Sequence, residues 1–430
     1  MNPILDLVVK FFSTPAVVLA AVSFVGLLVQ KKSAQEVTAG TFKTVLGFLI
    51  MGLGIGGIVS TLGPISSMFS QAYKLTGYIG WDEPVIAGIA AKLGTHTALI
   101  LLFGFILNVI LARITPYKYI YLTGHMLWIH AGEFALIGWA MGLSSPAIII
   151  LGTILQGIYT TFFPAISQPL IRKMTGNNDI ALGHGNTLAY VVSVYIAKLF
   201  GKSKVSMEEM PMPKGLEYFR DMAISMSLIM LIIAIPAALV AGKGYVETSL
   251  SSGQHYIIYA FLQALGFTAG VLVLLQGVRM LIAELVPAFR GISLKVVPGA
   301  IPALDCPIII PYGATSVLMG TVVGTLAQIC AVGLFVILKW PIPLPGMIGS
   351  FFVAGHAAVL GNTVGGRRTA VIAAFLSMFL YPVASSLAYQ TKLFGDMAAF
   401  GITGLYPGTG DAMFIAAIVR GIGALFGLGR

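Results

Sequence analysis

The 430-residue sequence has few charged residues and almost no cysteine. Only 9% of its residues are Asp, Glu, Lys or Arg, whereas soluble domains carry about 25%, so a water-soluble globular protein is excluded. Its two cysteines, Cys306 and Cys330, cannot build a disulfide framework, and both lie in apolar sequence, which favours buried structural thiols. The chain also lacks a Walker A sequence, a dinucleotide-binding fingerprint and the cysteine–histidine spacings of zinc motifs. No cofactor and no metal site are therefore predicted.

Apolar residues make up 57% of the sequence and form runs close to the roughly 20 residues that a membrane-spanning helix needs. These runs predict an all-α polytopic membrane protein with about eleven transmembrane helices. The predicted spans are 15–29, 42–62, 95–112, 118–142, 147–171, 222–241, 255–283, 314–338, 369–393, 412–428 and, more weakly, 347–361. The first run ends in Lys31–Lys32 without a basic leader or a cleavage pattern, and we interpret it as a retained span.

Basic residues collect at alternate connections between the predicted spans. They are Lys31–Lys32, Arg113 with Lys118, Arg172–Lys173, the segment 198–220, Arg290 with Lys295, and Arg367–Arg368. The positive-inside rule accounts for this pattern and places the N-terminus outside and the C-terminus in the cytoplasm. The net charge of +10 is therefore attributed to membrane topology, and no nucleic-acid partner is expected.

The two halves of the chain share short motifs in the same order. Around Gly54 and Gly277 four positions agree, and "GTHTALIL" and "GATSVLMG" follow, then "LTGH" and "VAGH". The predicted topology runs the first glycine span outward and its counterpart inward, which indicates inverted repeats, an architecture typical of substrate carriers. We divide the chain into a first repeat at 1–175, a re-entrant segment with a cytoplasmic connector at 176–221, and a second repeat at 222–430.

Three segments are too short or too broken to span the membrane, and such segments are tolerated where they line a cavity or are buried in protein. The segment 77–91 carries Asp82 and Glu83. The segment 176–197 begins a short apolar run with His184, Gly185, Asn186 and Thr187. The segment 296–316 surrounds Asp305 with four prolines, which prevent a regular helix. We interpret all three as re-entrant segments at a substrate cavity.

Histidines within apolar sequence are costly unless they serve a site or find a partner. His125, in "LTGH", and His184 are interpreted as hydrogen-bonding residues that face the cavity. Thr95 and His96 open a span and could reach the same cavity. His130 and Glu133 are interpreted as structural, because five residues of helix turn His130 about 140° away from His125.

The motifs "KTVLGFLIMGLGIGGI", "LTGH", "GHGNT" and "QGVRMLIAELVPAFRGISLKVVPGAIPALDC" resemble the L-ascorbate permeases of the bacterial phosphotransferase system, the membrane IIC components of the ascorbate–galactitol superfamily. The resemblance implies a homodimer in the bacterial inner membrane, with a scaffold domain and a mobile core domain that moves substrate by an elevator-type mechanism. It implies substrate contacts at Gly54, His125, His184 and Asp305. It also implies IIB and IIA proteins as partners that supply the phosphoryl group, because this chain carries no phosphorylated residue of its own.

Several positions depart from the ascorbate permeases. Ile129 stands where they have a glutamine, Ile55 where they have a serine, and Gly185–Thr187 where their sequence is rich in glutamine. The "GWDEP" segment resembles the galactitol branch, and its two acids suit a neutral polyol or sugar better than an anion. L-Ascorbate is thus the first candidate substrate, and a galactitol-like polyol is the alternative.

Two further alternatives concern the class of protein and the basic segment. A proton- or sodium-coupled secondary transporter would use Asp305 or His125 as its coupling group. An intramembrane enzyme would need a paired nucleophile and base or a metal triad, and the sequence offers no such spacing. The segment 198–220 fits a dock for a cytoplasmic partner and equally an amphipathic connector on the lipid surface.

Overall fold

The computed structural model describes residues 15–74, 77–78, 85–86, 88–201, 203–210, 222–343, 345, 349–402 and 404–428. Lipid forces backbone groups to pair within a segment, and the described chain is accordingly mostly helical. The helices are α1 (Pro15–Val29), α2 (Ala34–Tyr73), α3 (Ala90–Ile114), α4 (Gly124–Ala140), α5 (Ser145–Thr175), α6 (Thr187–Leu199), α7 (Met222–Ala241), α8 (Tyr256–Val296), α9 (Ala314–Leu338), α10 (His356–Gln390) and α11 (Gly410–Leu425). The strands are β1 (Gly77–Tyr78), β2 (Tyr119–Tyr121), β3 (Ala181–Leu182), β4 (Ile301–Leu304) and β5 (Ile342–Pro343).

The described helices include six that are long and apolar enough to cross a membrane. They are α2, α3, α5, the first half of α8, α9, and α10 with the turn before it; a bent pair at Met226–Ala241 and Lys243–Leu250 gives a seventh. The predicted multi-pass membrane protein is therefore confirmed. The number of eleven spans stays a prediction, because α1, α4, α6 and α11 contain 15, 17, 13 and 16 residues, fewer than a straight crossing needs.

Helices α2 and α8 cross where glycines bring their backbones together. A Cβ added to Gly54 would lie 2.3 Å from the Leu274 nitrogen, and one added to Gly277 would lie 2.3 Å from the Met51 nitrogen. No side chain fits at either position without moving the helices apart. The two glycines are the matched positions of the two halves of the sequence, so each half supplies the same kind of contact to the other.

The strands also pair across the two halves. β1 pairs in parallel with β5, and β2 pairs in parallel with β4, with Tyr119 opposite Ile301 and Tyr121 opposite Ala303. β3 adds to the free edge of β4, so the second sheet has the order β2–β4–β3. The first strand of each half is thus bonded to the second strand of the other half.

Helix α4 is surrounded by protein, and it packs against α3, α5 and α11. Every residue from Met126 to Gly138 is buried. A helix buried on all sides belongs to the core, so the polar side chains of α4 face protein groups or the cleft at its N-terminus.

The described part of the basic connector is hydrogen-bonded to α10 and to the N-terminus of α9. In residues 203–210, the Ser203 N–H donates to the carbonyl of Gly365, at a break in α10, over 2.8 Å. The Glu208 carboxylate accepts from the N–H groups of Thr315 and Ser316, each at 2.9 Å, and so caps the N-terminus of α9. Residues 211–221 lie outside the described residues, and the two interpretations of the connector stay predictions.

Candidate functional site

Three of the predicted site residues lie at the same edge of the three-stranded sheet. His125 follows β2 by four residues, His184 follows β3 by two, and Asp305 follows β4 directly. The strands are parallel, so their carboxyl ends meet at one edge and bring together residues from three distant segments. A helical element then begins beside each strand end: α4, α6 and a 3₁₀ helix at Cys306–Tyr312.

The three side chains form a small cleft that is partly open. His125 Nε2 lies 3.7 Å from Asp305 Oδ2, and the two side chains are 18% and 34% exposed. His184 is 5% exposed, and its ring nitrogen, an oxygen of Asp305 and the sulfur of Cys306 all lie within 4.8 Å of one another. Two imidazoles and a carboxylate can donate to and accept from a ligand rich in hydroxyl groups.

Backbone contacts fix the relative positions of the strand ends. The Thr123 hydroxyl donates to the Gly183 carbonyl over 2.6 Å, and the Gly183 N–H donates to the Leu304 carbonyl over 2.7 Å. A Cβ on Gly183 would lie 3.0 Å from the carbonyl oxygen of Ala303, so a larger residue would strain this contact. The cleft is therefore built on a rigid backbone.

Hydrogen bonds orient the acid and one of the histidines. Asp305 Oδ1 accepts from the Cys306 N–H at 2.7 Å, whereas Oδ2 is the oxygen close to His125. The Tyr190 hydroxyl donates to the carbonyl of Phe352 at 2.9 Å and lies 2.7 Å from His184 Nδ1. Because the phenol has one hydrogen, Nδ1 of His184 carries the hydrogen of the second bond. The lone pair of its Nε2 is then left for the cleft.

Asp411 supports the cleft from the side of α11, and its sequence context gives no signal of this role. This fully buried carboxylate of α11 accepts from the N–H groups of Thr187 and Leu188, each at 2.8 Å. The Tyr159 hydroxyl lies 3.1 Å from the carboxylate and 2.9 Å from the His184 carbonyl, and it shares its one hydrogen between them. It thereby caps the N-terminus of α6 from a residue more than 200 positions away. The Asp411 N–H also donates to the Gly185 carbonyl, which ties α11 to the "GHGNT" segment.

Glu133 and His130 form a second buried polar pair beneath the cleft. Glu133 accepts from the N–H of Thr409 at 3.0 Å and from its hydroxyl at 2.8 Å. His130 Nδ1 lies 2.6 Å from the Met126 carbonyl, and its Nε2 is 4.0 Å from Glu133. The two side chains thus make no direct hydrogen bond, and their interpretation as structural residues stays a prediction.

The remaining predicted site residues fall into three groups. Asn186 and Thr187 adjoin the cleft, and Asn186 Oδ1 accepts from the Gly410 N–H at 2.9 Å. Gly54 packs against α8. His96 lies 2.6 Å from the Ser145 hydroxyl, beyond the C-terminal end of α4, and that end of the helix is about 22 Å from His125. Thr95 precedes His96 in α3, away from the strand ends. Asp82 and Glu83 lie outside the described residues.

His356, the histidine of "VAGH", contacts the segment that follows Asp305. Its Nε2 lies 3.0 Å from the Cys306 carbonyl and its Nδ1 lies 3.2 Å from the Phe351 carbonyl. His356, which matches His125 in the second half of the sequence, therefore contacts backbone carbonyls, whereas His125 faces the cleft.

The chain was compared with known proteins. The profile of a family described as PTS system sugar-specific permease component, EIIC-GAT, matches residues 10–407. A protein of Mycoplasma pneumoniae (strain ATCC 29342 / M129 / Subtype 1) with the name "Ascorbate-specific PTS system EIIC component" is 26% identical over 435 positions. The matched region covers 89% of this chain and 66% of that protein, so the chain spans just under two thirds of the relative's length.

Proposed function

Because the chain belongs to the EIIC-GAT family of sugar-specific permease components, we propose that it carries L-ascorbate, or a related sugar or polyol, into the cell for phosphorylation by a IIB partner. Membership of this family supports a sugar as the substrate and other proteins of the phosphotransferase system as the partners. L-Ascorbate is the substrate in the printed name of the relative, and we extend it to this chain. A galactitol-like polyol remains the alternative.

The convergence of His125, His184 and Asp305 at one cleft is the observation that carries this proposal. The His125 imidazole can donate to an enediol oxygen of ascorbate, and the Asp305 carboxylate and the lone pair of His184 Nε2 can accept from its hydroxyls. The N-terminus of α4 adds a favourable field for an anion, since it has no side-chain cap and carries partial positive charge.

The transport mechanism that we propose uses two inverted repeats, at 1–175 and 222–430, joined by the connector at 176–221. The reciprocal glycine contacts of α2 and α8 and the reciprocal strand pairs support this division. The homodimer, the scaffold and core domains, the elevator-type movement, the IIA partner and the outside position of the N-terminus are extended from the family resemblance and the distribution of basic residues.

Binding of candidate substrates to purified protein tests the proposal. Titrations with L-ascorbate, galactitol and other hexitols would be made on the wild type and on His125→Ala, His184→Ala and Asp305→Ala. Each variant loses a hydrogen bond that involves a charged group or ligand, so we expect roughly 10- to 100-fold weaker binding. His255→Ala, which removes an exposed histidine next to α8, is the matched control and should bind as the wild type does.

Two outcomes would contradict the proposal. Equal affinities for the wild type and all three variants would remove the cleft as the substrate site. Uptake into vesicles without phosphoenolpyruvate, abolished when the proton gradient is collapsed, would favour a secondary transporter over a phosphotransferase permease.

A further inference from the structure

We infer that the same cleft binds a zinc ion through His184, Asp305 and Cys306, with His125 as the fourth ligand, and that zinc and sugar exclude each other. The metal site itself depends only on the geometry of these side chains. Its inhibitory effect on transport rests on the proposed function, because both ligands would use His125, His184 and Asp305.

Three of the four ligand atoms lie close to the separations of a tetrahedral zinc site. Zinc bonds of about 2.0 Å to nitrogen and oxygen and about 2.3 Å to sulfur separate the ligand atoms by roughly 3.3 to 3.5 Å. His125 Nε2 and Asp305 Oδ2 already stand 3.7 Å apart. The atoms of His184, Asp305 and Cys306 lie within 4.8 Å of one another, so closure of these three ligands requires movements of about 1 Å. Side-chain rotation over this distance needs no change in the strands. His125 lies outside this group and rotates further to become the fourth ligand.

The donor set selects zinc over the abundant hard cations. A thiolate and two imidazoles are ligands that zinc prefers, whereas magnesium and calcium require sets of oxygen atoms. The bond between His184 Nδ1 and the Tyr190 hydroxyl directs Nε2 toward the cleft, which is the outer contact that a zinc-bound histidine usually has. The carbonyl of Phe352 fixes the phenol in turn.

The charges balance when the metal binds. The thiol of Cys306 loses its proton to water as the sulfur–zinc bond forms, and the imidazoles bind as neutral groups. One thiolate and one carboxylate then neutralise the two charges of Zn²⁺. The neutral product suits a buried position, since Cys306 is 1% exposed and His184 is 5% exposed.

The site has no local sequence motif, because its ligands follow the ends of three different strands. The fold brings His125, His184 and the pair Asp305–Cys306 together through parallel pairing of β2, β4 and β3. Zinc motifs are recognised from ligands a few residues apart, and no such spacing occurs here. The expectation of no metal site thus came from local spacing, which reports nothing about contacts across a sheet.

Metal binding would be measured on the purified full-length protein with zinc alone, by competition with a chromophoric chelator. We expect one zinc ion per chain in the wild type, and Cys306→Ser should bind at least about 10-fold more weakly. Tyr190→Phe, which removes only the outer contact, should also lose roughly 10-fold or more. Cys330→Ser removes the other, exposed cysteine and should bind zinc as the wild type does.

Cobalt provides a second measurement that identifies the ligand. Co²⁺ bound in place of zinc should give a near-ultraviolet charge-transfer band from the thiolate, and this band should be absent in Cys306→Ser. A band that persists in Cys306→Ser, or stoichiometric zinc binding that Cys306→Ser leaves unchanged, would overturn the proposed ligand set. Failure of the wild type to bind zinc at 0.1 mM, about the limit for a specific site, would overturn the metal site altogether.

Sugar titrations of the same samples separate the two proposals. Zinc binding without any sugar binding would retain the metal site and contradict the proposed substrate cleft. Sugar binding that zinc does not weaken would contradict the shared site. Competitive loss of sugar binding, reversed by a chelator, is the result expected when both proposals hold.

Discussion

Replacement of Asp411 by alanine is expected to weaken sugar binding even though this residue is buried below the cleft. The carboxylate accepts hydrogen bonds from the N–H groups of Thr187 and Leu188, and it shares the Tyr159 hydroxyl with the His184 carbonyl. Alanine leaves the two N–H groups without this acceptor in a buried place, whereas Tyr159 keeps the His184 carbonyl, 2.9 Å away, as a partner. Each unpaired donor costs about 1 to 3 kcal/mol, so the loss is at least about 2 kcal/mol, and it falls on the segment that carries His184.

This loss changes affinity if it releases the "GHGNT" segment from the arrangement that binds sugar. The apparent dissociation constant rises in inverse proportion to the fraction of chains in which the segment keeps the arrangement that binds sugar. A cost of about 2 kcal/mol is enough for a roughly 30-fold change, and partial relaxation reduces the expected effect to roughly 10- to 30-fold. Asp411→Asn keeps one acceptor oxygen, so its affinity should lie between those of alanine and the wild type.

Titration calorimetry with thermal unfolding distinguishes positioning from a general loss of stability. Gly277→Ala separates α2 and α8 away from the cleft and supplies a destabilised protein with an intact "GHGNT" segment. Asp396→Ala removes an exposed acid near the same end of the chain, where a surface pair with Lys392 contributes little. If Asp411→Ala bound sugar as tightly as Gly277→Ala does at equal stability, the positioning role would be refuted.

Two further substitutions test the fold around the site. Gly54→Ala should lower stability by about 1 to 3 kcal/mol, because its Cβ would lie 2.3 Å from the Leu274 nitrogen, whereas Gly52→Ala meets nothing within 4 Å and should be neutral in thermal unfolding. Glu208→Ala should cost about 1 kcal/mol through loss of the cap on α9, and its exposed neighbour Glu209 provides the control; equal melting temperatures for the two alanine variants would disprove the cap.

The sequence was sufficient for the class of protein, and three of the residues that it singled out lie together in the structure. Long apolar runs with few charges predicted a multi-pass membrane protein, and the motif resemblance to a phosphotransferase permease is confirmed at the level of the family. Prolines around Asp305 and the polar start of the segment at His184 marked breaks in the helices, because proline and buried polar groups disrupt a regular span. Those breaks are where the structure places the cleft.

The contacts that hold the cleft could not be predicted in the same way. Strand β3 has two residues, too few for any alternation of apolar and polar positions to be visible. Asp411 caps a helix that begins 224 residues earlier, whereas capping motifs in sequence relate residues three positions apart. An acid at the start of an apolar run has the same appearance whether it lies at the lipid surface or accepts hydrogen bonds in the interior.

The N-termini of α6 and α4 differ in their capping, and this difference bears on whether the substrate is an anion or a neutral polyol. Asp411 occupies the N-terminus of α6, so the partial positive charge there is already neutralised. Thr123, which precedes α4, donates its hydroxyl to Gly183 and leaves the first N–H groups of α4 without a side-chain cap beside His125. An anionic ligand gains from that uncapped end, whereas a neutral polyol gains only hydrogen bonds. This uncapped end supports the proposal of L-ascorbate over galactitol as the substrate, and a reversed order of affinities would mean that other segments of the chain determine specificity.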